Sequence, residues 1–320
     1  MGLFSKPEVV ILKESSDAKQ YLRRLEELRE QLPDTSKILK ELDKEIMMVK
    51  AGIAGEDAIM FELKNSGMDL VVLHDIYIEA PSGNGAQIDF YVIATHVAVI
   101  IECKNLYGNI EINNKGDFIR TFSYGGKSYK EGIYSPITQN ERHLQVLKEC
   151  KLEDAGIIGK ASINMFFDDF YKSLVVLANP KTVVNDRFAK KEVKSKVIRV
   201  DQLISALKEI NSDASKKNSR LSMSEMLKHG EGMLRRNREE RKDYFEKFEK
   251  LKAEYDAERS EKPEKPEKPK EFVDQSEGMV CPKCGSKLVL RVAKKGENAG
   301  NQFYGCSAFP KCRYIQNIGN

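Results

Sequence analysis

The sequence predicts an α/β fold: a mixed sheet flanked by helices, with a helical region before it and a small separate module after it. Three observations lead there. A helical spacing of apolar residues over 8–50 gives way, from residue 70, to short runs rich in β-branched residues. Helical and apolar strand-like segments then follow one another to residue 210, the order expected of helices layered on one sheet. Last, a proline-punctuated charged segment isolates residues 278–320, which hold four of the six cysteines.

The elements follow in order. Residues 1–50 form the N-terminal helical region. Leu22, Leu25, Leu28 and Leu32 mark one helix that Pro33–Asp34 breaks, and Ile38, Leu39, Leu42, Ile46 and Val49 mark a second. Gly52 and Gly55 predict another break before a helix over Glu56–Leu63. Charges interleave through the first two runs, so they read as an amphipathic hairpin covering a core or a partner. Leu70–Ile78 is a strand. Ala86–Ala94 and Val97–Lys104 are strands of a hairpin turning at Thr95–His96. Gly108–Asn113 and Phe118–Tyr124 are further strands around the turn Asn113–Gly116, and Tyr124–Gly125–Gly126 is a hairpin turn. Residues 136–151 return to helix. Leu174–Ala178 and Val197–Val200 are apolar strands, and Asp201 is placed to cap a helix running to Ile210. The main domain therefore spans 51–210. Residues 222–260 read as a charged, solvated connecting helix, with Met226, Met233, Leu234, Phe245, Phe248 and Leu251 as sparse apolar marks. Residues 261–277 form a Pro/Glu/Lys linker whose EKPEKPEKPK repeat cannot be helical.

Composition narrows the class. The chain has 320 residues, 41% of them hydrophobic and 32% charged, enough apolar residues for a good core. The apolar runs Phe90–Ala94 and Val97–Ile101 are far short of the roughly 20 residues of a membrane-spanning helix. The first ten residues lack a basic region followed by a long apolar core, so no secretory signal is expected. Transmembrane, collagenous, wholly disordered and disulfide-rich secreted classes are excluded. The formal charge of +4 is uneven. Residues 51–210 carry a slight acidic excess, whereas 278–320 carry seven basic residues and one acidic residue. A small basic module of this kind suits a polyanion.

Cys103 and Cys150 stand alone; Cys281, Cys284, Cys306 and Cys312 form a C-x2-C pair followed by a C-x5-C pair. Two thiolates of Cys281-Pro-Lys-Cys284-Gly can reach one metal from a tight turn. Four thiolates in a closed tetrahedron make a structural Zn²⁺ site with no open position for catalysis. So short a domain needs such a staple. Free thiols imply a reducing compartment, which places the protein in the cytoplasm. CPKCG, the basic strand after it, the FYGCS step and the FPKCRY ending resemble the zinc-ribbon repeats at the C-terminus of bacterial type I DNA topoisomerases. The resemblance covers about residues 279–318, with a somewhat long insert at Lys295–Gln302. It implies binding to single-stranded DNA. Phe303, Tyr304, Phe309 and Tyr314 lie among Lys283, Lys287, Arg291, Lys294, Lys295, Lys311 and Arg313, and aromatic faces with cations are what sequence-tolerant strand binding requires. Packing against the knuckles is expected to occupy about half of these aromatics.

The central hairpin carries a second chemistry. Asp89 lies on its first strand, and Glu102 and Lys104 end its second. In a strand, i and i+2 share a face, so Glu102 and Lys104 point the same way and Cys103 points towards the core. The hairpin turn places Asp89 near Glu102. Paired carboxylates repel unless a proton or a cation joins them. Mg²⁺, or Mn²⁺, bound by Asp89 and Glu102 would resolve this, with Lys104 orienting water. The alternative is a surface ion pair between Glu102 and Lys104. His74 reads as strand packing or a solvated edge, His96 as a turn residue, and His229 as a surface helix residue.

The flanks favour the metal. Gly55–Glu56 opening a helix, then QIDFYVI, then IIECKNLYG, then Ser135–Pro136–Ile137–Thr138–Gln139 leading to His143, resemble the nuclease-related domain of the PD-(D/E)xK nuclease superfamily. The resemblance covers about residues 50–180 and implies a restriction-endonuclease-like mixed sheet. It assigns metal binding to Asp89 and Glu102, the catalytic lysine to Lys104, an additional acidic role to Glu56, and auxiliary roles to Gln139 and His143. Ile88 replaces the superfamily proline. The expectation is a Mg²⁺-dependent nuclease acting on nucleic acid, chiefly DNA, held by its zinc ribbon. The rival is a nucleic-acid-binding adaptor with a degenerate nuclease fold; a third reading, a protein-interaction scaffold built on the two long helical regions, with self-association through them, is compatible with either.

Overall fold

A computed structural model describes residues 6–238, 243–261, 279–293 and 301–317. They divide into two compact units, Met1–Tyr255 and Asp256–Asn320. Most of the expected 261–277 linker and most of the Lys295–Gln302 insert lie outside the described residues.

The first unit begins with strand β1 (Val9–Lys13), then helices α1 (Asp17–Gln31) and α2 (Leu39–Lys64). Strands β2 (Leu70–Glu79), β3 (Gly85–Ile93), β4 (Ala98–Lys104), β5 (Asn109–Ile112), β6 (Phe118–Tyr124) and β7 (Lys127–Ile133) follow. Then come α3 (Pro136–Glu153), α4 (Ile157–Phe170), β8 (Tyr171–Leu177), β9 (Val184–Asn185), α5 (Lys191–Lys194), β10 (Val197–Arg199), α6 (Leu203–Ala214) and α7 (Met223–Leu234); α8 (Glu246–Glu261) runs across the boundary between the two units. The six-stranded sheet has the order β1-β2-β3-β4-β8-β10; β2, β3 and β4 pair antiparallel, and the other neighbours pair parallel. The sheet is therefore mixed, as expected.

Both faces of this sheet are covered. One carries Val71, Tyr91, Ile93 and Ile100 against Val146 and Leu147 of α3, Phe167 of α4, and Met226 and Met233 of α7. The other carries Val72, Phe90, Val92 and Ile101 against Ile59 and Leu63 of α2 and Leu203 and Leu207 of α6. Burial on both faces explains why these strands read as continuous apolar runs. Each fully buried aliphatic side chain contributes about 1.5–3 kcal/mol of transfer free energy.

Several expectations are corrected. Val9–Lys13, expected within a helix, is a parallel edge strand, because the β-branched run VVILK finds the exposed edge of β2. Gly52 and Gly55 do not break a helix; α2 runs through both. The strands do not form one sheet: β7-β6-β5-β9 make a separate four-stranded sheet. Asp201 lies in a short 3-10 turn, Val200–Gln202, instead of capping α6. The expected connecting helix over 222–260 is two helices, and α7 belongs to the core. There Gly230 lets the helix lie flat on the sheet: a Cβ at Gly230 would sit 2.6 Å from Leu12 Cδ1 and 2.9 Å from Val71 Cγ1. His229 on the same helix is consequently not a surface residue; its Nε2 bonds Tyr171 Oη at 3.1 Å, and burial lowers its pKa to about 4. The stripe of α1 and α2 (Leu25, Leu28, Leu42) is closed by Phe245 and Phe248 at the start of the α8 segment.

The second unit holds β11 (Leu288–Val292), β12 (Gln302–Cys306) and β13 (Ile315–Asn317) in an antiparallel sheet. Leu288 and Tyr304 are buried beside Cys281, Cys306 and Cys312. That is a very small apolar core, in keeping with a module held by its cysteines.

Candidate functional site

Local chemistry sets up the middle of β3, at Asp89, and the end of β4. Alternation fails at one level in β2 and β3. Val71, Leu73, Ile76 and Ile78 all join one core, as do Ile88 and Tyr91, so parity changes around Asp75 and Asp89. Asp75 carries φ 55, a left-handed conformation that aspartate tolerates better than most residues. Its side chain accepts from the Asp17 N–H at 2.7 Å and from the Gln87 amide. Asp89 beyond this irregularity reaches β4, where its Oδ2 accepts from the Cys103 backbone N–H at 2.7 Å.

Glu102 is buried, and Lys104 is largely covered. Lys104 Nζ donates to Glu102 Oε1 at 2.6 Å and to Gln139 Oε1 at 3.2 Å. The i, i+2 relation at the end of β4 thus becomes a direct contact, with α3 supplying the third member. Helix α3 begins where Ser135 Oγ accepts from the Thr138 N–H and Pro136 occupies the first turn. Asn140 then donates from its side chain to the Leu174 carbonyl at 2.9 Å, tying α3 to β8. One turn after Gln139, His143 Nδ1 lies 3.9 Å from Glu102 Oε2. Those two buried atoms have no hydrogen-bond partner among the described residues.

Glu56 comes from the opposite face of the sheet. Gly55 makes this approach feasible: a Cβ there would lie 2.7 Å from Asn105 Cβ and 2.9 Å from Cys103 Sγ. Asn105 fastens the contact by donating to the Ala51 carbonyl at 2.6 Å. Glu56 Oε2 bonds His74 Nε2 at 3.0 Å, while His74 Nδ1 meets the Glu14 carbonyl and the ring stacks on Phe90. His74 therefore holds Glu56, a role its lone place in an apolar strand did not reveal. No sequence spacing links it to Glu56; only the fold does.

The electrostatics are those of crowded buried acids. Burial first, then the charge of Glu102, pushes the Asp89 carboxyl well above the usual range. Burial also raises Glu102, against the opposing pull of Lys104. Glu56 adds to both through its charge. Burial, helped by Lys104, lowers His143 to about 4, so it is a neutral imidazole at pH 7. The crowded Asp89 and Glu102 carboxyls, with the unpartnered Glu102 Oε2, offer the oxygen donors that a hard divalent cation takes; the His143 nitrogen is a softer donor and is not counted among them.

In the second unit the four cysteine sulfurs lie within 4.8 Å of one another. Cys281 Sγ is 3.8 Å from Cys312 Sγ, and Cys284 Sγ is 3.4 Å from Cys306 Sγ. Gly285, at φ 73, closes the first turn, with its N–H on the Cys281 carbonyl. Hydrogen bonding from Ser286 lowers the Cys284 thiol to about 6. This set can hold one structural Zn²⁺ through Cys281, Cys284, Cys306 and Cys312. Beside it, Arg291, Phe303, Phe309, Arg313 and Tyr314 line a shallow slot. Tyr304 is spent on the core, whereas Phe309 is exposed under Arg291 at 5.7 Å. Lys294 and Lys295 lie outside the described residues.

Two known families match parts of the chain. Residues 51–178 match the nuclease-related domain. The chain carries a nuclease-related domain and a topoisomerase-type C4 zinc ribbon. The ribbon match, to the topoisomerase DNA binding C4 zinc finger, covers residues 278–320. DNA topoisomerase 1 of Methanocaldococcus jannaschii is 47% identical over 49 residues, which are 15% of this chain and 6% of that protein. The chain thus spans only a small part of that relative. No solved structure gives a significant match. Asp89, Glu102, Lys104, Gln139 and His143 all fall within the nuclease-related segment, as do Gly55 and Glu56. His229 and α7, which complete its core, lie outside it. Among the described residues, no helix is long and apolar enough to cross a membrane.

Proposed function

We propose that the chain is a metal-dependent nuclease that hydrolyses phosphodiester bonds of DNA, and that its zinc ribbon holds single-stranded DNA. One observation carries the reading: the Lys104 ammonium is held between Glu102 and Gln139 at the strand end where Asp89 is also fixed. A surface ion pair has no need of a buried glutamate, an anchoring helix and a second buried carboxylate.

Asp89 and Glu102 would hold Mg²⁺ or Mn²⁺. Such an ion polarises a scissile phosphate and lowers the pKa of its bound water. Lys104, fixed by Gln139, would stabilise charge developing on the phosphoryl oxygens. Gln139 keeps the ammonium aimed, and neutral His143 presents a nitrogen towards Glu102 without adding a charge. Glu56, fastened by His74, adds negative charge beside Asp89 and favours cation binding. The ribbon's seven basic residues supply long-range attraction that the slightly acidic 51–210 segment does not. A structural zinc with free thiols calls for a reducing compartment, so the reading is of a cytoplasmic protein. Self-association through the helical regions has little of the α1–α2 stripe to use, because Phe245 and Phe248 cover it.

The test is incubation of the full chain with labelled single- and double-stranded DNA and RNA, with Mg²⁺, Mn²⁺ or EDTA. Metal-dependent, EDTA-sensitive DNA cleavage is expected. Binding without cleavage in every metal would make the adaptor reading the better one.

A further inference from the structure

The β6–β7 hairpin presents an aromatic and basic surface that the site does not use. Its register pairs Phe118 with Ile133, Arg120 with Glu131, Phe122 with Tyr129, and Tyr124 with Lys127. Alternate residues of a strand share a face, so these pairs stack along one side of the ribbon from root to tip. The root is core: Phe118 and Ile133 pack with Ile137, Val175 and Leu177. Val175 and Leu177 pair in register with Glu102 and Lys104. The outer part of the same face therefore leads away from the side of the sheet that carries Glu102 and Lys104.

That outer part is unusual for a solvated hairpin. Phe122 and Tyr129 stack with centroids 5.4 Å apart and planes 19° from parallel, and the Arg120 guanidinium covers Phe122 at 4.6 Å. Tyr124, at the tip, is 77% exposed. Lys127 beside it has no ion-pair partner among the described residues. Gly125 and Gly126, at φ 58 and 76, make the tight turn that keeps the tip narrow. The face offers flat rings with Lys127 beside them, while Arg120 is ion-paired with Glu131 at 2.7 Å and serves to hold Phe122. Those rings suit unstacked bases, and the Lys127 ammonium suits a phosphate between them.

We propose that this hairpin face docks a single-stranded DNA segment, with bases stacked on Tyr124 and Tyr129 and a phosphate on Lys127, and leads it to the Glu102–Lys104 end of the sheet. Single-stranded DNA is the occupant favoured here, because paired bases hide the faces that stack and the same chain carries a C4 zinc ribbon of the DNA-binding type. The strand's destination rests on the nuclease reading; the stacking does not.

The chain has no tryptophan, so Tyr124→Trp gives the full-length protein a single indole reporter at the tip. Titration with oligo(dT) should quench it, and abasic oligonucleotide at equal phosphate should not. In parallel, the Tyr124→Ala, Tyr129→Ala double variant should raise the KM for single-stranded DNA cleavage by about thirtyfold or more while kcat changes little, as the loss of two base stacks implies. Quenching in a protein that cleaves nothing would support the docking face and sink the nuclease reading. Cleavage with no quenching at saturating oligo(dT), or quenching by oligo(rU) alone, would overturn the docking proposal.

Discussion

Gly55 offers a test of how the helix bearing Glu56 is brought to the strand ends. Helix α2 contains two interior glycines, and in an exposed helix interior Gly→Ala stabilises by about 1 kcal/mol. At Gly52 a new Cβ meets nothing within 4 Å, so Gly52→Ala should stabilise the protein by up to about that amount. At Gly55 the same atom would lie 2.7 Å from Asn105 Cβ, 2.9 Å from Cys103 Sγ and 3.2 Å from Ala178 Cβ. None of these is the far end of a flexible side chain, so the helix or the end of β4 must shift, at a cost of about 1–3 kcal/mol. The propensity gain is common to both variants and cancels. Gly55→Ala should therefore be less stable than Gly52→Ala by about 1–3 kcal/mol. Urea unfolding followed by far-ultraviolet circular dichroism measures the difference. The shift would also move Glu56 from Asp89 and Glu102, so metal-dependent cleavage should fall in Gly55→Ala and not in Gly52→Ala. Equal stabilities for the two variants would refute the close-approach argument.

Further outcomes are expected. Lys104→Ala and Asp89→Asn should abolish cleavage while leaving the salt-dependent affinity for DNA largely intact, checked by cleavage and anisotropy assays on the same preparations. The full chain should carry one zinc by metal analysis; Cys306→Ser should lose it together with most single-stranded DNA affinity. Deleting residues 278–320 should weaken binding and flatten its dependence on salt, by about 0.7 in log–log slope for each phosphate that the ribbon neutralises. The folded-state pKa of His229 is depressed from 6.5 to about 4, so its neutral form contributes stability above pH 6.5 that is lost as pH falls towards 4. By linkage that loss is about 3 kcal/mol, and His229→Gln should remove it from the acid arm of a urea-midpoint profile.

The sequence by itself determined what depends on neighbours in the chain. The C-x2-C and C-x5-C pairs announced a metal-holding module, because knuckle spacing is a local geometry and needs no tertiary context. The hairpin over Ala86–Lys104 was legible because two apolar runs flank a two-residue turn, and Glu102 and Lys104 share a face because strand period is local. Gln139 and His143 share a helix face for the same reason. The tertiary structure decided what depends on partners far along the chain. VVILK became a strand only because the edge of β2 was free to pair with it. Gly55 proved to be a site of close packing instead of a break, since the identity of the atom opposite its absent Cβ lies some fifty residues away, at Asn105. His74 looked like strand filling until the fold set it against Glu56. The face on which Asp89 sits could not be read from alternation, because β2 and β3 change parity together at Asp75. Met226 and Met233 looked like sparse marks on a solvated helix, yet they complete the core of a domain that begins far earlier in the chain. The period of one element is written in its own residues, whereas the surface it packs against belongs to residues that only folding brings near.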